Sequence, residues 1–158
     1  MRIVVVGGSA SNVGKTTLAV HLARMAARTE STVAMKVSVR EKPCDTRVLI
    51  FRAAGEADHR KDSDRFLEVG VGAVIWVTVQ RPYVRSGLAA GLREARRLKP
   101  RVLVIESTSA GIEMKSDVES FFVAGEGEWK PWAHVHRDRA DRVLTSVEVM
   151  RLAELTPV

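Results

Sequence analysis

The chain has 158 residues, of which 46% are hydrophobic and 28% are charged, and 25 basic against 19 acidic residues give a formal net charge of +6. This length fits one compact domain, and the absence of long polar tracts from the sequence argues against a largely disordered chain. Its apolar runs are shorter than the ~18 residues of a membrane span, and the lone Cys44 cannot form an internal disulfide. We therefore expect a cytoplasmic protein without a membrane segment, whose basic charge suits nucleic acid, a membrane surface or a phosphorylated ligand.

Short apolar runs alternate with helical patterns along the chain. Continuous apolar runs predict buried strands at 3–6, 73–79 and 102–105, with further strand candidates at 32–38, 47–51, 121–124 and 142–145. Amphipathic periodicity predicts helices over 15–28 and 82–98. This order predicts an α/β fold over a single domain, 1–158, with a mainly parallel sheet flanked by helices and ligands at the carboxyl ends of the strands.

The segment between the first predicted strand and the first predicted helix carries the most specific motif. It reads Gly-Gly-Ser-Ala-Ser-Asn-Val-Gly-Lys-Thr-Thr over residues 7–17, which is a phosphate-binding loop in its usual context. Small residues let backbone amides converge on phosphate oxygens, and the helix directs its positive dipole end at the same anion. We expect Lys15 to reach the β- and γ-phosphates of ATP or GTP, Thr16 to ligate Mg²⁺, and Thr17 to contact the α-phosphate. The predicted ligand-binding residues are Gly8, Ser11, Asn12, Val13, Gly14, Lys15, Thr16 and Thr17.

The loop departs from the common spacing GxxxxGK[ST], which would place glycine where this chain has Ser9. Gly8 instead leaves five residues before Gly14, and this longer loop resembles that of the dethiobiotin synthetase and cobyrinate amidase relatives. Partitioning ATPases carry a signature lysine five residues before the loop lysine, at the position of Ala10 here. The sequence therefore disfavours a partitioning ATPase that dimerises through that lysine.

A second acidic group is expected near the loop, because protein-bound Mg²⁺ takes one or two carboxylates. Glu106 ends an apolar run and precedes a segment of small residues at 107–111, so we predict that it binds the metal with Thr16 and acts catalytically with Lys15 and Asp62. Either Asp62 or Asp45 could orient a water or a metal-bound oxygen, whereas solvated loop charges are the alternative interpretation. The candidates for neutralising charge on a transferred phosphoryl group are Lys36, Lys61 and Arg65.

A family resemblance rests on the stretch 58–73. Its Lys-Asp-Ser, the arginine that follows and the Gly-Ala that enters an apolar strand resemble the GKDSxRxxxAGA stretch of MobB, a P-loop family associated with molybdopterin guanine dinucleotide biosynthesis. Lys36 resembles the lysine of that family's IKH segment, and Glu106 resembles its strand-end EG. The chain departs from the pattern in its longer loop, in Val-Ser-Val-Arg at 37–40 and in Ser107. The resemblance spans about residues 2–107 and implies slow nucleotide hydrolysis that assists cofactor biosynthesis.

Other functions in the same class stay open. One is an ATP-dependent small-molecule enzyme of the dethiobiotin synthetase type that activates a carboxylate, and another is a nucleotide-gated adaptor for a partner enzyme. The resemblance to both families also suggests a homodimer that completes the pocket, with a small molecule or a protein as partner. An NKxD element for reading guanine is missing from the sequence, and the choice between ATP and GTP remains open.

The remaining features point less clearly to a function. His134 and His136 have strand spacing and would share a face, but with one cysteine and no HExxH or CxxC motif a zinc site is disfavoured. Trp129 or Trp132 is a candidate for stacking on a nucleotide base or for covering an apolar edge. Nucleic-acid binding is disfavoured because the basic cluster at 93–99 is not interleaved with aromatic residues.

Overall fold

The computed structural model describes residues 1–56, 61–114 and 117–155. The strands are β1 (Arg2–Gly8), β2 (Thr32–Arg40), β3 (Arg47–Phe51), β4 (Ala73–Gln80), β5 (Val102–Glu106), β6 (Val118–Ala124) and β7 (Arg142–Thr145). The helices are α1 (Lys15–Ala27), α2 (Lys61–Glu68), α3 (Val84–Leu98, preceded by a 3₁₀ turn at Arg81–Tyr83), α4 (Thr108–Glu113), α5 (Ala133–Arg137) and α6 (Ser146–Glu154).

The strands form one seven-stranded sheet in the order β3-β4-β2-β5-β1-β6-β7. Every neighbouring pair is parallel except β3 and β4, which are antiparallel at one edge. This confirms the predicted α/β fold with a mainly parallel sheet.

Helices cover both faces of the sheet, which explains why the central strands are continuous apolar runs. Helices α1, α2 and α6 lie on one face, and α3, α4 and α5 lie on the other. Each face has its own apolar core, one around Leu18 and Phe66 and the other around Met35 and Leu88. All of β5 is buried between the two layers.

The register of the parallel strands brings the motifs together at one edge of the sheet. Glu106 at the end of β5 is paired with Val6 of β1 on one side and with Lys36 of β2 on the other. The phosphate-loop segment continues from the end of β1, so it lies beside the side chains of Glu106 and Lys36. Parallel strands expose their carboxyl ends together, and this edge is where the fold is able to place a ligand.

One sequence interpretation is wrong in its local structure. His134 and His136 lie on the short helix α5 and not on a strand, so they do not share a strand face. Short helices α4 and α6 were also missed by periodicity, because each has at most nine residues. Among the residues that the structure describes, none of the helices combines the length and apolar character needed to cross a membrane.

Candidate functional site

Within the phosphate-loop segment, the residue just before α1 is Gly14, and its conformation favours glycine. Gly14 has a φ of 102° and precedes the helix without any side-chain cap. The first backbone amides of a helix have no intrahelical acceptor. The first turn of α1 also holds no acidic residue. The positive end of the helix is thus left open toward a negatively charged ligand.

Ser9, which stands where the common spacing has glycine, anchors the loop to the segment after β6. Its amide donates to the Val123 carbonyl at 3.0 Å, and its hydroxyl accepts from the Gly125 amide at 2.9 Å. Its carbonyl accepts from the Lys130 amide at 2.9 Å. Because Ser9 is completely buried and its amide, carbonyl and hydroxyl oxygen are each hydrogen-bonded, the departure from the common spacing has a structural explanation.

Three further hydrogen bonds, made by two hydroxyl groups, fix the ends of the loop. The Thr108 hydroxyl accepts from the Gly8 amide and donates to the Gly8 carbonyl, both at 3.0 Å. The Ser146 hydroxyl at the start of α6 donates to the Val13 carbonyl at 2.9 Å. Gly8 therefore lies within β1 with its amide already bonded, outside the lining of the cavity described below. Its predicted contact with a phosphate stays a prediction.

Lys15 projects from the first turn of α1 over the loop, where its ammonium group donates to the Ala10 carbonyl. Burial lowers the pKa of Lys15 below its ordinary value, and the Glu106 carboxylate opposes that shift. The nearby charges of Lys130 and Lys36 lower the pKa further. An anion bound among these cations would favour the charged form of Lys15.

One polar network beside the loop connects Thr16, Glu106, Lys36 and Asp62. The Thr16 hydroxyl donates to Glu106 Oε1 at 2.8 Å, and Lys36 Nζ lies 3.2 Å from both carboxylate oxygens. Lys36 also donates to Asp62 and lies 5.5 Å from the centre of the Trp76 ring. The Glu106 side chain is only 5% exposed and that of Lys36 17%. The predicted metal ligands Thr16 and Glu106 are therefore brought together, with Lys36 and Asp62 next to them.

The other candidate charges divide between the site and its surroundings. Arg65 joins the site, because it donates to the Thr17 hydroxyl at 3.3 Å and lies 4.0 Å from Asp62. Asp45 lies in the exposed segment 41–46 and does not line the cavity. The side chain of Lys61 and residues 58–60 of the same motif lie outside the described residues.

A cavity of about 710 Å³ opens along this edge of the sheet. Its lining includes Ser11 to Thr17 of the loop, together with Lys36, Asp62, Arg65 and Glu106. The lining also includes Glu41, Arg81 and Lys130, which sequence reasoning missed, together with Trp132, a predicted candidate for stacking on a base. Isolated charged residues at strand ends carry no sequence signal, so only the fold reveals that they meet.

Of the aromatic candidates Trp129, Trp132, His134 and His136, Trp132 lines the cavity and the other three lie outside its lining. Trp132 lines the cavity, whereas Trp129 packs against Phe122 at 5.5 Å and stacks on His134 at 4.9 Å between ring centres. The His136 ring is completely buried, and its Nε2 lies 2.8 Å from the Ser120 hydroxyl. Burial lowers the pKa of His136 to about 4. Over the described ranges, groups of three or more histidine, cysteine or acidic side chains placed to hold a metal are absent.

The sequence matches none of the protein-family models and none of the curated proteins with which it was compared. Among solved structures, the chain is similar to the crystal structure of the "apo" form of LpxK from Aquifex aeolicus in complex with ATP. The TM-score is 0.59 at 15% sequence identity, and the similarity covers 92% of this chain and 48% of that chain. This chain thus spans about half the length of the LpxK chain, and the likeness is one of fold.

Proposed function

We propose that this chain, as a single nucleotide-binding domain over 1–158, binds a nucleoside triphosphate with Mg²⁺ and turns it over slowly. The observation that carries the proposal is the open positive end of α1, with Lys15 beside it, facing the Thr16–Glu106 pair across one cavity. A triphosphate supplies the negative charge that this arrangement lacks.

The loop residues bind the phosphates in this proposal. The amides of the first turn of α1 donate to phosphate oxygens, and Lys15 exchanges its Ala10 carbonyl for a phosphate oxygen. That exchange replaces a neutral acceptor with a charged one, which makes the hydrogen bond stronger.

The oxygen atoms present fit a magnesium site. Thr16 Oγ1 and Glu106 Oε1 are 2.8 Å apart beside the cavity, and Mg²⁺ prefers one or two protein oxygens and several waters. Thr16 and Glu106 would hold the ion, which when bound would neutralise charge on the phosphates. Lys36 already pairs with the Glu106 carboxylate, so a counter-charge is in place before any metal arrives.

Asp62 and Arg65 would act on the terminal phosphate. Asp62 is the carboxylate available to orient a water, and Arg65 is the cation that neutralises developing charge. Because Lys36 already holds the Asp62 carboxylate, that carboxylate has to give up this contact before it can orient a water. We therefore expect slow turnover in the absence of another substrate or partner.

The nucleotide and the biological role are proposed from the structural neighbour and from the sequence resemblance. The ATP in the crystal of the structural neighbour makes ATP the first nucleotide to test, with GTP second. The MobB resemblance at 58–73 and at Lys36 supports a role in cofactor biosynthesis, in which a homodimer or a partner enzyme completes the pocket. A nucleotide-gated adaptor uses the same site and differs only in that the bound state is the function.

A second candidate function is phosphoryl transfer to a small acceptor. The observation that favours it is the extension of the cavity past the phosphate loop to Arg81, Lys130 and Trp132. A hydrolase needs space only for a water, whereas an acceptor molecule needs a second lined compartment. Turnover that depends on an added carboxylate metabolite would support this second function.

The test is a nucleotide panel measured by thermal shift and phosphate release, with ATP and GTP in the presence of Mg²⁺. Lys15→Ala removes a charge-assisted contact to phosphate, so we expect a loss of more than about 2 kcal/mol, about thirtyfold in affinity. Lys42→Ala, an exposed lysine outside the cavity lining, is the matched control and retains the parent affinity. Equal nucleotide affinity in Lys15→Ala and the parent contradicts the proposal.

A further inference from the structure

The cavity ends at a cluster that the phosphate chemistry does not use. In this Arg81 cluster, which comprises Glu41, Arg81 and Trp132, the guanidinium group of Arg81 lies 3.7 Å from the centre of the Trp132 ring. The same guanidinium donates to Glu41, with Arg81 Nε 2.8 Å from Oε1 and 2.9 Å from Oε2, and its terminal nitrogen also bonds Oε1. Arg81 therefore presents its planar fork to a carboxylate while an aromatic ring supports its face.

The members of the cluster come from strands and segments that are far apart along the edge of the sheet. Arg81 follows β4, which is three strands from β1 in the sheet order, or about 14 Å at the usual spacing of strands. Trp132 comes from the opposite side, in the segment after β6 that Ser9 anchors through Lys130. The cluster thus joins Glu41 and Arg81, which follow β2 and β4, with Trp132 from the segment after β6, and all three line the cavity.

The Arg81–Glu41 ion pair contributes little to the stability of the fold. The side chain of Glu41 is 67% exposed and that of Arg81 35%, and exposed ion pairs contribute little because water competes for both charges. The hydrogen bonds from Arg81 hold the pKa of Glu41 below its ordinary value, which keeps the carboxylate ionised. An exposed carboxylate on a guanidinium that an aromatic ring supports can be exchanged for another oxyanion at little cost in stability.

We infer that Arg81 binds a carboxylate or phosphate group of a second ligand, and that Glu41 occupies this oxyanion position until the ligand arrives. Lys130, which also lines the cavity, adds positive charge beside it. The inference deepens the proposed function, on which it rests for the identification of this ligand as an acidic acceptor. It requires no nucleotide for the oxyanion contact itself.

A comparable ion pair elsewhere provides the control. Arg85 on α3 lies 3.1 Å from Glu113 on α4, in the same layer of helices. Neither residue lines the cavity. Glu113→Gln therefore removes an exposed carboxylate from an arginine without changing the proposed oxyanion position.

The experiment titrates citrate and, separately, inorganic phosphate, and measures binding by calorimetry in two backgrounds. The first is the parent chain saturated with Mg²⁺ and a non-hydrolysable ATP analogue, which fills the phosphate loop. The second is Lys15→Ala without nucleotide, which removes the lysine of the loop and makes the result independent of nucleotide binding. The two probes distinguish a preference for carboxylate from a preference for phosphate.

In both backgrounds we expect Glu41→Gln to raise the affinity for the better probe about fivefold, because it weakens the internal competitor. Arg81→Gln lowers that affinity at least about tenfold, since it removes the charged fork, and Arg81→Lys gives an intermediate loss. Glu113→Gln leaves the affinity unchanged. Far-ultraviolet circular dichroism verifies that each variant is folded.

The inference is overturned if neither probe binds at tens of millimolar, if Arg81→Gln and Arg81→Lys both bind like their background, or if Glu41→Gln binds no more tightly. Failure of the ATP analogue to bind the parent contradicts the proposed function instead. The Lys15→Ala titration then still decides whether Arg81 binds an oxyanion.

Discussion

Two buried polar side chains, Glu106 and His136, lie near the end of β1. They differ in their hydrogen-bond partners and in whether they line the cavity. Glu106 is 5% exposed and is surrounded by hydrogen-bond donors, from Thr16 and from Lys36, at the wall of the cavity. His136 is completely buried, with Ser120 as the partner of one nitrogen. Its Nδ1 has no hydrogen-bond partner within the part of the chain that the structure describes.

The packing around the two groups explains the difference. A Cβ at Gly7 would lie 2.1 Å from His136 Nδ1, and one at Gly111 would lie 2.2 Å from Nε2, so two glycines enclose the ring. No space is left there for a ligand, and the ring acts as a neutral packing element. Glu106 instead pairs with Lys36 and lines the cavity. Burial alone therefore does not mark a functional group, whereas a balanced charge at a cavity wall does.

The largest effect is expected for Lys36→Met, which leaves the Glu106 carboxylate buried without its ammonium partner. We expect the free energy of unfolding, measured by urea denaturation, to fall by about 3 kcal/mol. The double variant Lys36→Met with Glu106→Gln recovers most of this loss, because the buried charge is gone.

Arg85→Met, which breaks the exposed pair with Glu113, is the matched control and changes the free energy of unfolding by less than about 1 kcal/mol. A Lys36→Met protein as stable as the parent would show that Glu106 does not need its counter-charge.

Gly111→Ala tests the packing around His136. The new methyl group would overlap the imidazole, which Gly7 blocks from behind, so we expect a destabilisation of about 3 kcal/mol in the same assay. In a His136→Ala background the same change costs less than about 1 kcal/mol, since the overlap is absent. Gly72→Ala is the control, because its Cβ meets nothing nearer than 3.7 Å. Equal costs of Gly111→Ala in both backgrounds would refute the close contact.

Acid should destabilise the fold through His136. Burial lowers the pKa of this imidazole from 6.5 to about 4, so between these pH values the unfolded chain binds a proton that the folded chain does not. The free energy of unfolding therefore falls as the pH drops from about 6.5 to about 4, by up to about 3 kcal/mol, and its full value holds above 6.5.

Urea denaturation across this pH range, compared with His136→Gln, isolates the contribution of the imidazole. His21→Gln is the control, because His21 is only partly buried and burial lowers its pKa less strongly. A parent and a His136→Gln variant with parallel pH profiles would exclude a neutral His136 in the fold.

The smallest effect is expected for Ser9→Gly, which restores the common glycine of phosphate loops. Ser9 is buried like the other two groups but is neutral and fully bonded, so its loss costs about 1–2 kcal/mol through the unsatisfied Gly125 amide. Ser9→Ala separates this hydrogen bond from the added backbone freedom of glycine. Nucleotide affinity stays at the parent value in both variants, and a large drop in affinity would instead place Ser9 in the ligand contacts.

Local residue patterns predicted much of the architecture and several of the residues that line the cavity. Continuous apolar runs predicted the parallel strands, and the Gly-Lys-Thr-Thr segment placed the loop, Lys15 and Thr16 at the end of β1. Glu106 was also predicted, because a carboxylate directly after a buried strand must emerge at the same edge of the sheet. These features depend on neighbours in sequence, which a single chain displays directly.

Only the tertiary structure decided which distant residues meet. The register of β2 beside β5 pairs Lys36 with Glu106, and the sheet order brings Arg81 and Trp132 together from opposite ends of the edge. The spacing of His134 and His136 predicted that they share a strand face. They lie instead on a five-residue helix, where His134 stacks on Trp129 and His136 is buried in the core. Such contacts depend on packing between segments separated by tens of residues, where the local sequence carries no periodic signal.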